Sequence, residues 1–548
     1  MPGPDRSLAW VGALLAALAL SAAGCERERD ERAERPRAPG LRASELAQRH
    51  CGSCHRVPEP GELPAETWPT VLTWMSHYLG IRPIDDAFRT LVAAHLVPAE
   101  PQITRRNFER LSKYFVEGAP AQRDFRIPAR ELPPITALAA SVPAFDLPTG
   151  DYVTLLRIDS ERAELYVGLG HARELRVFSL RDARELARER FDSEPVHVEP
   201  FADGFRLTLL GSFDQETIAP GAVLELRRGA AGRLERSARI PEFARPTQSR
   251  AADLDGDGRE DLVVAGFGNG YGQGFGKLSV FWGAGAAGGA ADAAESVLLD
   301  RAGALGAEIA DFDGDGRRDV LTLTAQAIQQ LVLYRNLGER RFEPRVLLDQ
   351  PPGWGFNQLL VADFDADARP DVLTVNGNNM EIPVPPLRPY HGLRIFLNQP
   401  DLTLREAFFY PMYGALQARA LDFDADGDLD LAAIAFYPDW ELAQPETFTL
   451  LENRSERGAD TRGTALRFSP ATLAGAHWSR WLSLDAGDVD GDGRADVVLG
   501  SANLPGGGLI PRDRERFAKY RERLREAPPV LLLKSGRAMP AGRNRENP

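Results

Sequence analysis

The sequence predicts a multidomain protein, with a small all-α domain followed by an all-β propeller of seven blades. The chain has 548 residues, which is too long for one ordinary hydrophobic core. After Arg130, apolar residues at helical spacing give way to short apolar runs. An acidic nine-residue phrase then recurs five times, and such recurrence indicates a repeat architecture.

The N-terminus has the features of an export signal. Arg6 precedes an apolar run from Leu8 to Leu20, which is too short for a comfortable membrane span. The run ends in Ala-Ala-Gly-Cys and resembles a bacterial lipobox, so residues 1–25 are predicted to be a lipoprotein-type signal peptide with Cys25 lipidated. A plain secretory signal with an incidental cysteine is the alternative. The predicted location is exported, periplasmic or cell-surface, anchored by lipid to a bacterial membrane, with the outer membrane favoured.

Two charged segments have nothing to bury. Residues 26–40 are predicted to be a disordered tether, and residues 538–548 a disordered tail. The formal net charge of −14 argues against nucleic acid or an anionic membrane surface as the main partner. Contact with a membrane is therefore expected through the lipid anchor only.

The hexapeptide HCGSCH predicts a covalent haem c site. Two thiols separated by two residues, Cys51 and Cys54, can add to the porphyrin vinyl groups, and the adjacent His55 can be the proximal iron ligand. A zinc site usually requires a second cysteine pair to complete four ligands, and the chain has only three cysteines. A redox dithiol would need a thioredoxin-like context, and a disulfide across two residues would be strained.

A sixth iron ligand is expected near this motif. Met75 is favoured because a thioether suits a high-potential electron carrier. His77, His95 and the absence of a protein ligand are the alternatives, and Met75 could also be a core residue.

Residues 41–130 are predicted to form the haem domain. SELAQRHCGSCH, DDAFRTLVAAHL and NFERLSKYFVEGAP have helical patterns, and the last ends at Gly118. The last segment resembles the closing helix of a class I cytochrome c. The resemblance implies a cytochrome c-like domain.

The acidic phrases predict calcium sites. Carboxylates at positions one, three, five and nine converge on one point, and hard oxygen ligands suit Ca²⁺. A surface turn is the alternative, chiefly for the third phrase, where Ala368 replaces glycine and Pro370 follows. About four or five Ca²⁺ ions are expected. The predicted ligands are Asp253, Asp255, Asp257, Asp261, Asp311, Asp313, Asp315, Asp319, Asp363, Asp365, Asp367, Asp371, Asp422, Asp424, Asp426, Asp430, Asp488, Asp490, Asp492 and Asp496.

These phrases, each followed by an apolar strand, resemble the FG-GAP/VCBS repeats of integrin-α-type seven-bladed propellers. The resemblance covers about residues 245–535, and two earlier blades without acidic phrases complete the seven. Residues 131–537 are therefore predicted to be the propeller. The whole chain resembles bacterial exported FG-GAP proteins with a cytochrome c domain, which implies electron transfer without a settled substrate.

The propeller rim opposite the acidic loops is a candidate surface for a glycan, a peptide or a redox partner. Its aromatic and polar residues are Tyr271, Asn376, Asn378, His391, Asp439, Trp440, His477 and Trp478. The alternative is that these rings cap the blade edges.

The favoured function is a lipid-anchored c-type cytochrome that passes single electrons to a redox protein, with a calcium-braced propeller that binds a partner or ligand. One alternative is an adhesion or glycan-binding propeller with a secondary haem. The other is a haem-linked oxidoreductase with its substrate site on the propeller. The sequence contains no recognisable catalytic triad or phosphate loop, which favours a carrier over a catalyst.

Overall fold

The structure is a computed structural model. It describes residues 41–53, 55–81, 98, 100–211, 219–229, 233–268, 276–284, 293–325, 327–378, 386–442, 444–455, 466–473, 479–502 and 527–536. The predicted signal peptide with Cys25, the tether, the tail, Cys54, His95 and the predicted helix DDAFRTLVAAHL lie outside these residues or extend outside them. The described residues from Ala43 onwards belong to one compact unit.

The described part of residues 43–130, called the helical region below, contains three short α-helices. They are α1 (Ala43–His50), α2 (Trp68–Tyr78) and α3 (Arg105–Glu117), with 3₁₀ turns at Pro60–Glu62 and Gln122–Phe125. Helix α3 begins after Thr104, whose Oγ1 accepts a hydrogen bond from Asn107 N at 3.2 Å. The cytochrome c-like fold of this region stays a prediction.

A small apolar core joins the three helices. Leu46 from α1 and Leu111 from α3 are buried together, and the rings of Trp68 and Phe115 lie 4.4 Å apart. The Trp68 indole also donates to Pro60 O at 2.9 Å, so its polar edge is satisfied inside the core.

The described residues after Arg130 form seven antiparallel sheets of four strands, which confirms the predicted seven-bladed propeller. Blades 1 and 2 are β2 (Val153–Asp159), β3 (Glu164–Leu169), β4 (Glu174–Ser179), β5 (Glu185–Arg190), and β6 (Pro195–Phe201), β7 (Gly204–Leu209), β8 (Gly221–Arg228), β9 (Leu234–Phe243). Blades 3 and 4 are β10 (Pro246–Ala252), β11 (Asp261–Gly266), β12 (Lys277–Phe281), β13 (Glu295–Leu299), and β14 (Ala304–Ala310), β15 (Asp319–Thr324), β16 (Gln329–Asn336), β17 (Phe342–Gln350).

The remaining blades follow the same order, after a 3₁₀ turn at Pro352–Trp354. Blades 5 and 6 are β18 (Phe356–Ala362), β19 (Asp371–Asn376), β20 (Gly392–Asn398), β21 (Leu404–Pro411), and β22 (Ala415–Leu421), β23 (Asp430–Ala435), β24 (Phe448–Asn453), β25 (Phe468–Thr472). Blade 7 is β26 (Trp481–Gly487), β27 (Asp496–Ser501), β28 (Val530–Ser535) and, from the other end of the chain, β1 (Leu138–Ser141).

The second strand of each blade is the centre of the hydrophobic core. All six residues are buried in β3, β7, β11, β15, β19, β23 and β27. Each of these strands is covered by neighbouring blades on both faces, which explains the continuous apolar runs after the acidic phrases.

The ring closes through β1, which pairs antiparallel with β28 from Leu138 opposite Ser535 to Ser141 opposite Leu532. The first and last parts of the propeller sequence thus share one sheet. Leu138 is 7% exposed and packs in the core cluster between blades 6 and 7.

The helical region is docked on the propeller through its C-terminal end. The Arg130 guanidinium lies 4.2 Å from the centre of the Tyr410 ring and 2.9 Å from Glu446 Oε2. The Tyr413 hydroxyl donates to Phe125 O at 2.8 Å and also accepts from the backbone of Ile127.

Two further contacts lie nearer the start of the helical region. Arg56 Nη1 donates to Asp349 O at 3.0 Å, and the Tyr390 hydroxyl donates to Glu62 O at 3.2 Å. The docking surface therefore extends over blades 4, 5 and 6.

We expect Leu138→Ala to destabilise the propeller by about 2–4 kcal/mol, because it opens a cavity where β1 closes the ring. Urea unfolding measures this change. Val142→Ala is the matched control, since Val142 is 63% exposed just after the same strand. Equal stability of the two variants would show that β1 contributes little to closure.

Candidate functional site

The five acidic loops join the first and second strands of blades 3 to 7. The first aspartate organises each loop. In blade 3, Asp253 accepts hydrogen bonds from Gly256 N at 2.7 Å and from Gly258 N at 2.9 Å. Both glycines have positive φ, at 77° and 81°, so the tight turn favours residues without a Cβ.

The ninth aspartate of each loop is buried and begins the second strand. Asp261 accepts from Leu254 N at 2.9 Å and from Gly283 N at 2.7 Å, so it ties the loop to the end of the third strand. The equivalent residues Asp319, Asp371, Asp430 and Asp496 accept the same pair of backbone hydrogen bonds.

Burial raises the pKa of these ninth aspartates, and neighbouring loop carboxylates raise it further. The pKa of Asp319 rises to about 6, and the pKa values of Asp371 and Asp430 rise to about 7. The backbone donors lower the pKa but do not cancel the burial. A cation next to these carboxylates would relieve the same electrostatic cost.

Each acidic loop brings carboxylate oxygens from three aspartates within 4.8 Å of one another. In blades 3, 5 and 6 these are positions one, three and nine, and in blades 4 and 7 they are positions one, three and five. In none of the five loops do the carboxylates of all four predicted positions form a single group of this kind. The sets are Asp253, Asp255, Asp261; Asp311, Asp313, Asp315; Asp363, Asp365, Asp371; Asp422, Asp424, Asp430; and Asp488, Asp490, Asp492.

Basic side chains lie against the third position of three loops. Arg340 is 2.7 Å from Asp255, Arg335 is 2.5 Å from Asp313, and Lys534 is 3.3 Å from Asp490. These contacts offset part of the negative charge at the outer side of the loops.

The third loop, in blade 5, keeps the shape of the others in spite of its alanines. Ala366 and Ala368 have φ of 58° and 66°, and Ala368 N donates to Asp363 Oδ2 at 2.9 Å. A left-handed alanine costs about 1 kcal/mol, so the sequence departure strains the backbone without opening the loop.

An asparagine at the end of the third strand was missed by the sequence analysis. Asn336 donates from Nδ2 to Leu254 O at 2.7 Å, and Asn398 donates to Phe312 O at 3.0 Å. Each amide thus reaches the acidic loop of the preceding blade. The recurring ends YRN, FLN and LEN of the third strands were the available signal.

We expect Asn398→Ala to destabilise the protein by about 1–3 kcal/mol, because Phe312 O would be buried without its donor. Asn398→Asp keeps the shape but replaces the donor by an acceptor, and should cost at least as much. Thermal unfolding of both variants measures the effect, and full stability of Asn398→Asp would rule out the interblade hydrogen bond as the cause.

The cysteine motif continues directly from α1. Cys51 N donates to Ala47 O at 2.8 Å, and the Cys51 side chain packs half-buried at the edge of the helical core. The short separation along the chain therefore places Cys51 and His55 in one turn after the helix.

The His55 ring has a defined tautomer. Its Nδ1 lies 2.8 Å from Arg56 O, and a carbonyl can only accept, so the proton is on Nδ1 and Nε2 carries a lone pair. Burial lowers the pKa of His55, which keeps the ring neutral at pH 7. A neutral imidazole with a free Nε2 has the lone pair that ligation of a metal requires.

A cavity of ≈ 640 Å³ separates the cysteine motif from blade 4. Gly52, His55 and Arg56 line one wall, and Arg301 and Gln330 line the other. Polar side chains dominate the lining. Met75 and His77 lie in α2 and, within the described residues, are not part of this lining.

Two of the predicted rim residues are fully buried in blade 5. Asn376 donates to Trp354 O at 3.1 Å and to Tyr390 O at 2.9 Å, and His391 is completely buried. Asp439 is 8% exposed and lies 3.8 Å from Arg126 of the helical region. Asn378 and Trp440 lie in loops of blades 5 and 6, whereas Tyr271, His477 and Trp478 fall outside the described residues.

No helix in the described ranges is long and apolar enough to cross a membrane.

Fold and loops define a repeat β-propeller whose acidic loops can hold cations. Residues 253–322 and 311–374 match the model of the FG-GAP-like repeat. The chain therefore carries FG-GAP repeats within a seven-bladed propeller, which suggests a binding or structural role for this part of the molecule.

A comparison with curated protein sequences found no match. Among solved structures, similarity extends to BBS1N in complex with ARL6DN, with 10% identity, TM-score 0.41, and 74% of this chain and 98% of that chain covered. Periplasmic gluconolactonase PpgL of Pseudomonas aeruginosa has 16% identity and TM-score 0.37, covering 58% and 86%. Sqt1 of Saccharomyces cerevisiae has 9% identity and TM-score 0.39, covering 71% and 97%.

Proposed function

We propose that this chain is an exported, lipid-anchored c-type cytochrome that transfers single electrons, with a calcium-braced propeller that binds a redox protein partner. The main structural support for a haem site is the tautomer of His55. Its Nδ1–H is held by Arg56 O, and its free Nε2 follows Cys51 within one turn.

The residues present fit a covalent haem. Cys51 supplies a thiol at the edge of an apolar core, Cys54 supplies the second thiol in the sequence, and His55 supplies a neutral imidazole. When bound, the haem iron would supply one-electron redox chemistry. The protein's own part is to fix the imidazole by the Arg56 carbonyl and to hold the motif against blade 4 through the Arg56 guanidinium.

Calcium is the cation that the acidic loops suit best. Their ligands are carboxylate oxygens, three to a group, and Ca²⁺ prefers hard oxygen ligands in this number together with backbone carbonyls and water. Raised pKa values at Asp371 and Asp430 support a role for a cation, because these buried carboxylates lack a positive partner in the loop. The metal would brace the turn between the first two strands of its blade.

The haem proposal predicts one haem per chain after export in a host that matures c-type cytochromes. A pyridine haemochrome assay and a reduced-minus-oxidised spectrum measure it. Cys51→Ser with Cys54→Ser should abolish the signal because no thioether bond can form. Cys25→Ser is the matched control, since it keeps the haem and removes only the predicted lipid anchor. Colourless wild-type protein would reject the electron-transfer function.

The calcium proposal predicts that EDTA lowers the melting temperature and that Ca²⁺ restores it. One filled site contributes about 2.7 kcal/mol when the free metal is 100 times the Kd. Asp422→Asn should reduce the bound calcium, measured by elemental analysis, by one ion per chain. Asp401→Asn, an aspartate outside the acidic loops, should leave the count unchanged. A calcium count of zero in the wild-type protein contradicts the proposal.

A further inference from the structure

We propose that the cavity between α1 and blade 4 binds a carboxylate group, which is held by the Arg301 guanidinium with the Gln330 amide beside it. Both side chains belong to the propeller wall of the cavity, opposite His55. The proposal assigns a binding role to blade 4 that neither the acidic loops nor the cysteine motif implies.

Arg301 is a partly buried cation that the Asp349 carboxylate attracts electrostatically without forming a direct ion pair. Its Nη2 donates to Gln330 Oε1 at 2.6 Å, whereas its buried Nε has no hydrogen-bond partner. No ion pair joins it to a carboxylate anywhere in the described ranges, and burial lowers its pKa. Because an unpaired buried donor on a charged group is costly, an anionic ligand is the expected partner.

The neighbouring groups favour a carboxylate over a phosphate. Gln330 Nε2 donates to Asp349 Oδ1 at 2.9 Å, so the amide engages this carboxylate. Glu59 also lines the cavity. These two acidic groups would repel a phosphate group, which carries up to two charges at one point, more strongly than a single carboxylate group, which one planar guanidinium matches in a two-point contact.

The cavity walls are held in place before any ligand arrives. Arg56 Nη1 donates to Asp349 O at 3.0 Å and joins the helical wall to the propeller wall. Ligand binding therefore requires no large rearrangement of these walls, which favours affinity.

A carboxylate can reach the cavity from two sources. One is a propionate of a haem attached at Cys51 and Cys54, because His55 lines the same cavity, and this source rests on the proposed function. The other is a free small organic acid. The experiment separates the two.

The first arm uses haem-free full-length protein carrying Cys51→Ser and Cys54→Ser. Calorimetric titration with succinate should show binding, and addition of Arg301→Gln should weaken it by about 10–100-fold, as expected for a charged hydrogen bond. Succinamide, the neutral analogue, should not bind. Arg341→Gln is the matched control, because Arg341 is 64% exposed in blade 4.

The second arm uses haem-loaded protein. With a propionate at Arg301, succinate no longer binds. Arg301→Gln then lowers the reduction potential and moves its pH-dependent step to higher pH, because the carboxylate loses its cation. Arg341→Gln should move neither quantity. With a free acid as the ligand, succinate binds the loaded protein as well as the haem-free one.

Two results together overturn the proposal. The haem-free protein binds no succinate or binds succinamide equally well, and Arg301→Gln leaves the reduction potential of the haem-loaded protein unchanged. Gln330→Ala is the second variant if Arg301→Gln does not fold, and it should weaken succinate binding in the same direction. Absence of haem rejects the proposed function only, since the first arm still decides the carboxylate site.

Discussion

The buried ninth aspartate is the contact on which each acidic blade depends. Asp371, for example, accepts from Phe364 N at 2.9 Å and from Asn398 N at 2.9 Å, so one carboxylate joins the loop, the second strand and the third strand. Because its charge is removed from water, the group must be compensated by donors, a proton or a cation. The same residue therefore fixes the fold and is the buried charge that the proposed metal would compensate.

Interblade packing extends this constraint around the ring. Gln358 Oε1 of blade 5 accepts from Ala418 N of blade 6 at 2.6 Å, and Gln417 Oε1 accepts from Leu484 N of blade 7 at 3.0 Å. Together with the contacts of Asn336 and Asn398, these bonds hold each of blades 3 to 7 to its neighbour in that series. The acidic loops are thus fixed from outside as well as from within, which preorganises their carboxylates.

The blade pattern could be predicted from the sequence because it is local. Each acidic phrase precedes a fully buried second strand, so phrase and apolar run occur together along the chain. Closure by β1 could not be predicted in the same way, since Leu138–Ser141 is a four-residue strand without a pattern of its own. Docking of the helical region was also missed, because contacts such as Tyr413 with Phe125 join residues far apart in sequence.

The candidate sites also differ in whether they depend on local sequence or on contacts between distant segments. The aspartate groups were accessible to sequence analysis because their spacing carries the chemistry, although the structure brings three carboxylates together rather than four. The Arg301 cavity was not accessible, because its two walls come from α1 and blade 4 and meet only in the folded chain. Asn376 and His391 are residue types that are common at a binding rim, but both are fully buried.

The contact between the helical region and the propeller affects how the proposed electron transfer would work. His55 is bonded to the backbone of Arg56, and the Arg56 side chain is bonded to blade 4. A partner that binds the propeller therefore meets the cysteine motif at a fixed position, without the entropy cost of ordering a linker at each encounter. In the proposed complex the propeller would be the rigid part of the surface that binds the partner. Its acidic loops, on the opposite face from Tyr390 and Tyr413, would maintain that rigidity at a distance from the partner.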